Sequence, residues 1–345
     1  MLKLILVGVL IAGLLAALAK VNAWLVRRYQ QVPDPTGYFV NIRGQALYAK
    51  VSGNVIGEGV SVLMLTDVGV PSAVWWPLQD ALMRVAPASM SCLSYDRPGL
   101  GWSKGEPGRA GQAAQDLRAL SVALKLEPPY VLVADGYGAL VAAHFASQYP
   151  DDTRGLVLTE PYVPPSALRT LVDKRTYTRL FAPGAMTMGS SILARLGLAR
   201  FTPLPYPLPD NLKLHWREMR ASPSAVAAMT SELNSAEADY KQLSIHNQLT
   251  PQDQSLSLAL PADLAVTVIM PDVHNLSEFY YQQKLEEAQI RRAVEAQFQL
   301  ARGYLAADDE LILVVGHPSY IHAHDDIISA VLNLAKPRST FVSSS

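Results

Sequence analysis

The chain has 345 residues, 29 Lys and Arg against 30 Asp and Glu, and a net charge of −1, which argues against nucleic-acid binding, because phosphate backbones select basic surfaces. Half of the residues are hydrophobic and only 17% are charged, a composition that excludes disorder and suggests membrane contact. The single cysteine, Cys92, sits in an apolar run, so neither a disulfide framework nor a thiolate metal cage can be built.

Residues 4–26 are almost continuously apolar, interrupted by Lys20 and Asn22 and followed at once by Arg27 and Arg28. At about 1.5 Å per residue such a segment crosses a hydrocarbon core of roughly 30 Å. Ala17-Leu18-Ala19 or Val21-Asn22-Ala23 could instead serve a signal peptidase. A retained anchor is the preferred reading, since Lys20 can snorkel and Trp24 suits an interface. Membrane lipid is then the expected partner of residues 4–26. The excess of Lys20, Arg27 and Arg28 over Lys3 places the large domain on the cytoplasmic or equivalent (matrix or stromal) side.

Pro33, Pro35 and Gly37 make a stiff break, so residues 1–35 form anchor and linker. A strand pair follows over 38–42 and 45–51. Apolar runs at 62–65, 91–95, 130–133 and 155–158 then alternate with helical stretches at 76–85, 111–124 and 139–148, the pattern of a mostly parallel sheet covered on both faces. The rhythm breaks at Pro161 and resumes with a strand at 266–270, a long helix over 276–304, a strand at 311–315 and a helix at 325–335. Between these blocks, residues 162–261 contain Pro203, Pro205, Pro207 and Pro209 and helical pieces at 168–180, 191–198 and 224–233. They read as a helical lid inserted into an α/β core of residues 36–161 and 262–336, at the carboxyl ends of the strands, where open sheets bind ligands. Its aromatic and Met side chains, Tyr177, Phe181, Phe201, Tyr206, Trp216 and Met219, are expected to pack on the core. Residues 337–345 are a polar tail.

The string Tyr95-Asp96-Arg97-Pro98-Gly99-Leu100-Gly101-Trp102-Ser103 resembles the YDRxGxGxS turn of α/β-hydrolases, in their esterase- and lipase-like branch. Tyr130-Val131-Leu132-Val133-Ala134-Asp135-Gly136-Tyr137-Gly138 falls where that family carries a strand and its nucleophile elbow. Leu156-Val157-Leu158-Thr159-Glu160-Pro161 is similar to the next strand, and 311–321 to the last strand and the histidine loop. The resemblance implies the α/β-hydrolase fold. Asp96 and Arg97 are expected to form a buried, turn-fixing ion pair.

Acyl transfer on this fold needs a serine at the elbow, a histidine, an orienting acid and backbone N–H donors for the oxyanion. Set against the family's G-x-S-x-G, Ala134-Asp135-Gly136-Tyr137-Gly138 puts Gly136 at the nucleophile position. Ser319 falls at the histidine position, with His317 two residues earlier and His322 and His324 just beyond. Where the family has a small pair after its third strand, this chain has Thr66-Asp67-Val68-Gly69; the Asp67 carboxylate would either repel a developing oxyanion or cap the following turn. Glu160 and Asp272 end the strands after which the family places its acid, and both also suit loop or capping roles. Asp67 and Asp135 together fall short of the oxygen set a metal needs, and no cofactor is implied.

The expected function is therefore that of a membrane-anchored, catalytically inactive hydrolase-fold protein, an accessory or scaffolding subunit of a membrane complex or a ligand-binding module. The alternative is an active membrane-bound esterase or lipase with a displaced constellation, such as Asp135 with His317 or His322.

Overall fold

The computed structural model describes residues 1–30, 36–53, 59–180, 192–201, 210–244, 258–271, 287–305, 309–314 and 323–336. Its centre is an eight-stranded sheet in the order β1-β2-β4-β3-β5-β6-β7-β8. β1 (Tyr38–Ile42) and β2 (Gln45–Gly53) form an antiparallel hairpin, and β2 also runs antiparallel to β4 (Ser91–Tyr95). From β4 onward, through β3 (Ser61–Leu65), β5 (Tyr130–Asp135), β6 (Thr153–Thr159), β7 (Ala265–Pro271) and β8 (Glu310–Val314), every pairing is parallel.

The uniform apolar character of the central strands follows from burial on both faces. Leu63, Leu65, Leu132, Ala134, Leu156 and Leu158 point to one core, which is closed by α3 (Ala110–Ala123), α4 (Tyr137–Gln148) and α9 (Glu287–Ala301). Their neighbours in sequence, Val62, Met64, Val131, Val133 and Val157, point to the other, closed by α2 (Trp76–Val85) and α10 (His324–Ala335). Cys92 belongs to this second core and is fully buried.

Between β6 and β7 the chain builds helices over the carboxyl ends of the strands. The expected helix over 168–180 is two, α5 (Pro165–Leu171) and α6 (Lys174–Leu180), because Asp173 accepts the Thr176 N–H at 3.0 Å and starts a new helix. The piece expected at 224–233 extends to α8 (Pro223–Leu243), preceded by α7 (Asp210–Arg220), which the sequence reading omits. Tyr177, Trp216 and Met219 are buried as expected, but Phe201 is 83% exposed. Phe181, Tyr206 and the tail 337–345 lie outside the described residues.

Helix α1 (Leu2–Gln30) is long and apolar enough to cross a membrane by length and composition. Most of its side chains up to Val21 are exposed, whereas Asn22 and Val26 are buried against the domain. The Asn22 amide donates to Ala194 O at 2.7 Å and to Ala221 O at 3.1 Å, and its carbonyl accepts from Arg200 Nη1 at 2.5 Å. Two turns further on, Tyr29 hydrogen-bonds His215 of α7 and stacks on Trp102, with ring centroids 5.9 Å apart. Trp102 in turn stacks on Trp76 and packs at a tilt against His215. The last two turns of the apolar helix are thus part of the folded domain.

Candidate functional site: an occluded elbow

The turn of residues 95–103 is built around Asp96, but its partner is not Arg97. Asp96 is buried and accepts the backbone N–H of Ser72 at 2.7 Å and of Trp102 at 3.0 Å, while Ser103 Oγ donates to the Asp96 carbonyl at 2.6 Å. A Cβ on Gly101 would overlap this carboxylate, so the glycine at φ +51 is required both by space and by backbone geometry. Burial pushes the Asp96 carboxyl above its ordinary range, although both N–H donors pull it back. The turn then presents Leu100 to the lid, where it packs with Met219, Ala225 and Ala228.

Arg97 points the other way, into a pair the sequence reading did not find. Its Nε lies 2.6 Å from Glu232 Oε1 and its Nη2 3.0 Å from Oε2, with both side chains 3% exposed. The remaining donors reach Thr66 O at 2.7 Å and Asp67 O at 2.8 Å, and Glu232 Oε2 also accepts the Gly69 N–H at 2.9 Å. Burial pulls the guanidinium pKa down, but the Glu232 carboxylate more than offsets it. One buried fork therefore ties lid helix α8 to the loop 66–69. A second tie lies two turns along α8, where Asp239 accepts from Arg109 Nε at 2.6 Å and from the Ala110 N–H at 3.0 Å, at the start of α3. Glu232, Ala236 and Asp239 recur at helical spacing among buried Ala225, Ala228, Tyr240 and Leu243. That periodic apolar face carrying two acids was the available signal for both partners.

Loop 66–69 carries Asp67 to the strand-to-helix turn after β5. Gly136 stands at that turn with φ 50 and ψ −116, a conformation that is strained for any residue with a side chain. The helix that follows packs tightly: a Cβ on Gly138 would lie 2.6 Å from Leu65 O. Gly136 has no side chain to cap α4, and Asp67 takes that role from 70 positions away, its Oδ1 accepting the Tyr137 N–H at 2.7 Å. Asp67 thus caps a helix remote in sequence, beyond the local turn that the sequence suggested. A Cβ built on Gly136 would overlap the Asp67 carboxylate.

The electrostatics are those of a buried acid against the end of a helix. Burial drives Asp67 up to about 6, with the N–H groups of Tyr137 and Val68 and the Arg97 charge limiting the rise. In an elbow of this type the N–H after the tip and one from the loop after the third strand are the donors that hold an oxyanion. Here both face a carboxylate of the chain itself. Asp135, at the end of β5, is buried and accepts from Thr159 Oγ1 at 2.7 Å. Burial raises its pKa well above the ordinary value, and the charges of Asp67 and Glu160 raise it further.

Of the other candidates, Glu160 directly follows β6, at φ +41, its N–H donating to Ile269 O at 3.0 Å. Asp67, Asp135 and Glu160 are therefore brought together at the strand tips. Asp272, His317, Ser319 and His322 lie outside the described residues, and His324 opens α10. Among the described residues no group of three or more His, Cys, Asp and Glu side chains could hold a metal ion.

Comparison with known proteins agrees with this architecture. A family model described as serine aminopeptidase, S33, matches residues 77–234. YqjL of Bacillus subtilis is 28% identical over 122 residues, 35% of this chain and 47% of that protein, so the chain spans less than half of this relative's length. An esterase from Thermogutta terrifontis superposes with a TM-score of 0.52 at 17% identity, over 87% of this chain and 99% of the esterase. An epoxide hydrolase from Vigna radiata superposes with a TM-score of 0.56 at 15% identity, over 86% and 96% of the two chains. With its parallel sheet, its glycine-tipped elbow after β5 and its helical insertion after β6, the chain has the α/β-hydrolase fold.

Proposed function

We propose that this protein is a membrane-tethered α/β-hydrolase-fold protein that does not hydrolyse acyl substrates and acts through binding, as an accessory subunit of a membrane complex or a ligand-binding module. The observation that carries this reading is the elbow itself. Its tip, Gly136, offers no nucleophile, and the space and the Tyr137 N–H that an acyl intermediate needs are taken by the Asp67 carboxylate. A negative charge held at that point opposes the oxyanion it would have to stabilise. The Arg97–Glu232 fork supports the same reading, because it holds loop 66–69 and the lid in this arrangement. Helix α1 supports the tether, and the excess of Lys20, Arg27 and Arg28 over Lys3 favours a domain on the cytoplasmic or equivalent side.

The test is activity-based labelling of the full chain in detergent with a fluorophosphonate, together with turnover of short acyl esters. The expected result is no covalent adduct and no turnover above that of heat-denatured protein. Labelling abolished by substituting one serine would overturn the reading and favour an active hydrolase with a displaced constellation. In a native gel of mildly solubilised membranes, an accessory subunit migrates well above its own 37.5 kDa.

A further inference from the structure

We infer that lid segment 192–201 is a second membrane contact, an apolar patch that enters the lipid interface beside the anchor. The inference rests on α1 being a membrane anchor and adds to it a face of the globular domain.

Position is the first argument. Three points of the segment meet α1 at one residue: Ala194 O accepts from Asn22 Nδ2 at 2.7 Å, Arg200 Nη1 donates to Asn22 Oδ1 at 2.5 Å, and a Cβ on Gly197 would lie 2.9 Å from the same oxygen. The helical residues before Asn22 span about 30 Å, one hydrocarbon thickness, so Asn22 marks the level at which the anchor leaves the bilayer. The exposed Trp24 just beyond it is a residue type that prefers this level. A segment held against Asn22 lies at that level too.

Composition is the second. Ala194 and Ala199 turn inward and are buried, whereas Ile192, Leu193, Leu198 and Phe201 turn outward, at 58%, 36%, 40% and 83% exposure. Four exposed apolar side chains within ten residues are denser than the scattered ones a water-facing surface ordinarily carries, and such patches mark contact sites. Charge identifies the cover. Lys20, Arg27, Arg28 and Arg195 are exposed on the same two segments, α1 and 192–201, so exposed apolar side chains and cations occur side by side, the pattern that suits acyl chains beneath anionic headgroups.

Depth-dependent fluorescence quenching tests the assignment. The full chain is reconstituted in vesicles of phosphatidylcholine and phosphatidylglycerol, with an environment-sensitive label on a cysteine introduced at one of three positions: Phe201→Cys, Val9→Cys and Val122→Cys. The native Cys92 is buried and stays unlabelled. Val122 is 58% exposed near the carboxyl end of α3, on the side of the amino ends of the strands and away from the lid, and serves as the solvent reference. The label at 201 is expected to be quenched by lipids spin-labelled near the headgroup, the label at 9 by lipids labelled deep in the chain, and the label at 122 by neither. If position 9 is quenched and position 201 behaves like position 122, the patch assignment fails and the anchor stands. An emission shift at 201 without lipid quenching means that protein, a second copy or another partner, covers the patch, and likewise overturns it. If position 9 is not quenched, both fail together.

Discussion

Asp67 Oδ1 accepts the Tyr137 backbone N–H at 2.7 Å, so the first donor of α4 is satisfied by a carboxylate from the neighbouring loop. Restoring a nucleophile at the adjacent Gly136 therefore meets two obstacles. The backbone at φ 50 and ψ −116 strains a serine by ~1–3 kcal/mol, and its Cβ must displace Asp67. Gly136→Ser is expected to lower the melting temperature and to gain no fluorophosphonate labelling. Adding Asp67→Gly removes the overlap but not the backbone strain, so part of the lost stability returns. A single mutant that melts with the parent chain would mean that the carboxylate moves aside freely.

Removing one end of the Arg97–Glu232 fork leaves a buried charge without its partner, which typically destabilises by ~3–5 kcal/mol. Glu232→Ala is predicted to lose about this much in denaturant unfolding. Glu232→Gln keeps an acceptor for the Gly69 N–H and loses less. Because the fork joins lid to loop, protease nicking within α8 should rise in both variants, in the same order.

The strands were readable because they are buried on both faces, which leaves short, wholly apolar runs such as Val62 to Leu65 and Tyr130 to Val133 between amphipathic helices. Gly136 was readable because a fixed-spacing motif surrounds it. The partners of Arg97 and Asp67 were not. Those contacts join residues 135 and 70 positions apart, and local chemistry offered Arg97 a nearer acid in Asp96. Asp96 instead spends both oxygens on the N–H groups of Ser72 and Trp102, which leaves the guanidinium for Glu232. Helix α7 escaped notice because its sequence, DNLKLHWREMR, is mostly polar and follows a proline-rich stretch.

The titration of Asp67 gives stability a definite slope. Its pKa rises from 3.8 in the unfolded chain to about 6 in the folded one, so between these values the folded state holds a proton that the unfolded state has released. Stability therefore falls as pH rises through this window and stays lower above it. Asp67→Asn keeps an acceptor for the Tyr137 N–H and removes the charge. Its unfolding free energy should lack this decline and exceed that of the parent above pH 6, while a slope remains from Asp135, Asp96 and Asp116, whose pKa values are raised in the same sense. Parallel pH curves for the two proteins would contradict the assignment.

Among the described polar side chains of the apolar helix, Asn22 is the one the domain buries, and its amide reaches the lid carbonyls of Ala194, Arg195 and Ala221 while its oxygen takes Arg200. Asn22→Leu keeps its branched shape and heavy-atom count but leaves the carbonyls of Ala194 and Ala221 without that donor, at ~1–3 kcal/mol for each group that water cannot reach. Arg200 keeps its bidentate contact with Glu218, so the lid turn 197–201 should not unfold outright. The predicted outcome is a looser junction between anchor and lid, with faster amide exchange in 192–201 and around Ala221 and unchanged protection in β3, β5 and β6. Loss of protection across the whole sheet would instead show that the end of α1 is required for the core to fold. Asn22→Gln separates polarity from fit: it carries the same groups on a longer stem, and if geometry rather than polarity holds the junction it should behave like Asn22→Leu.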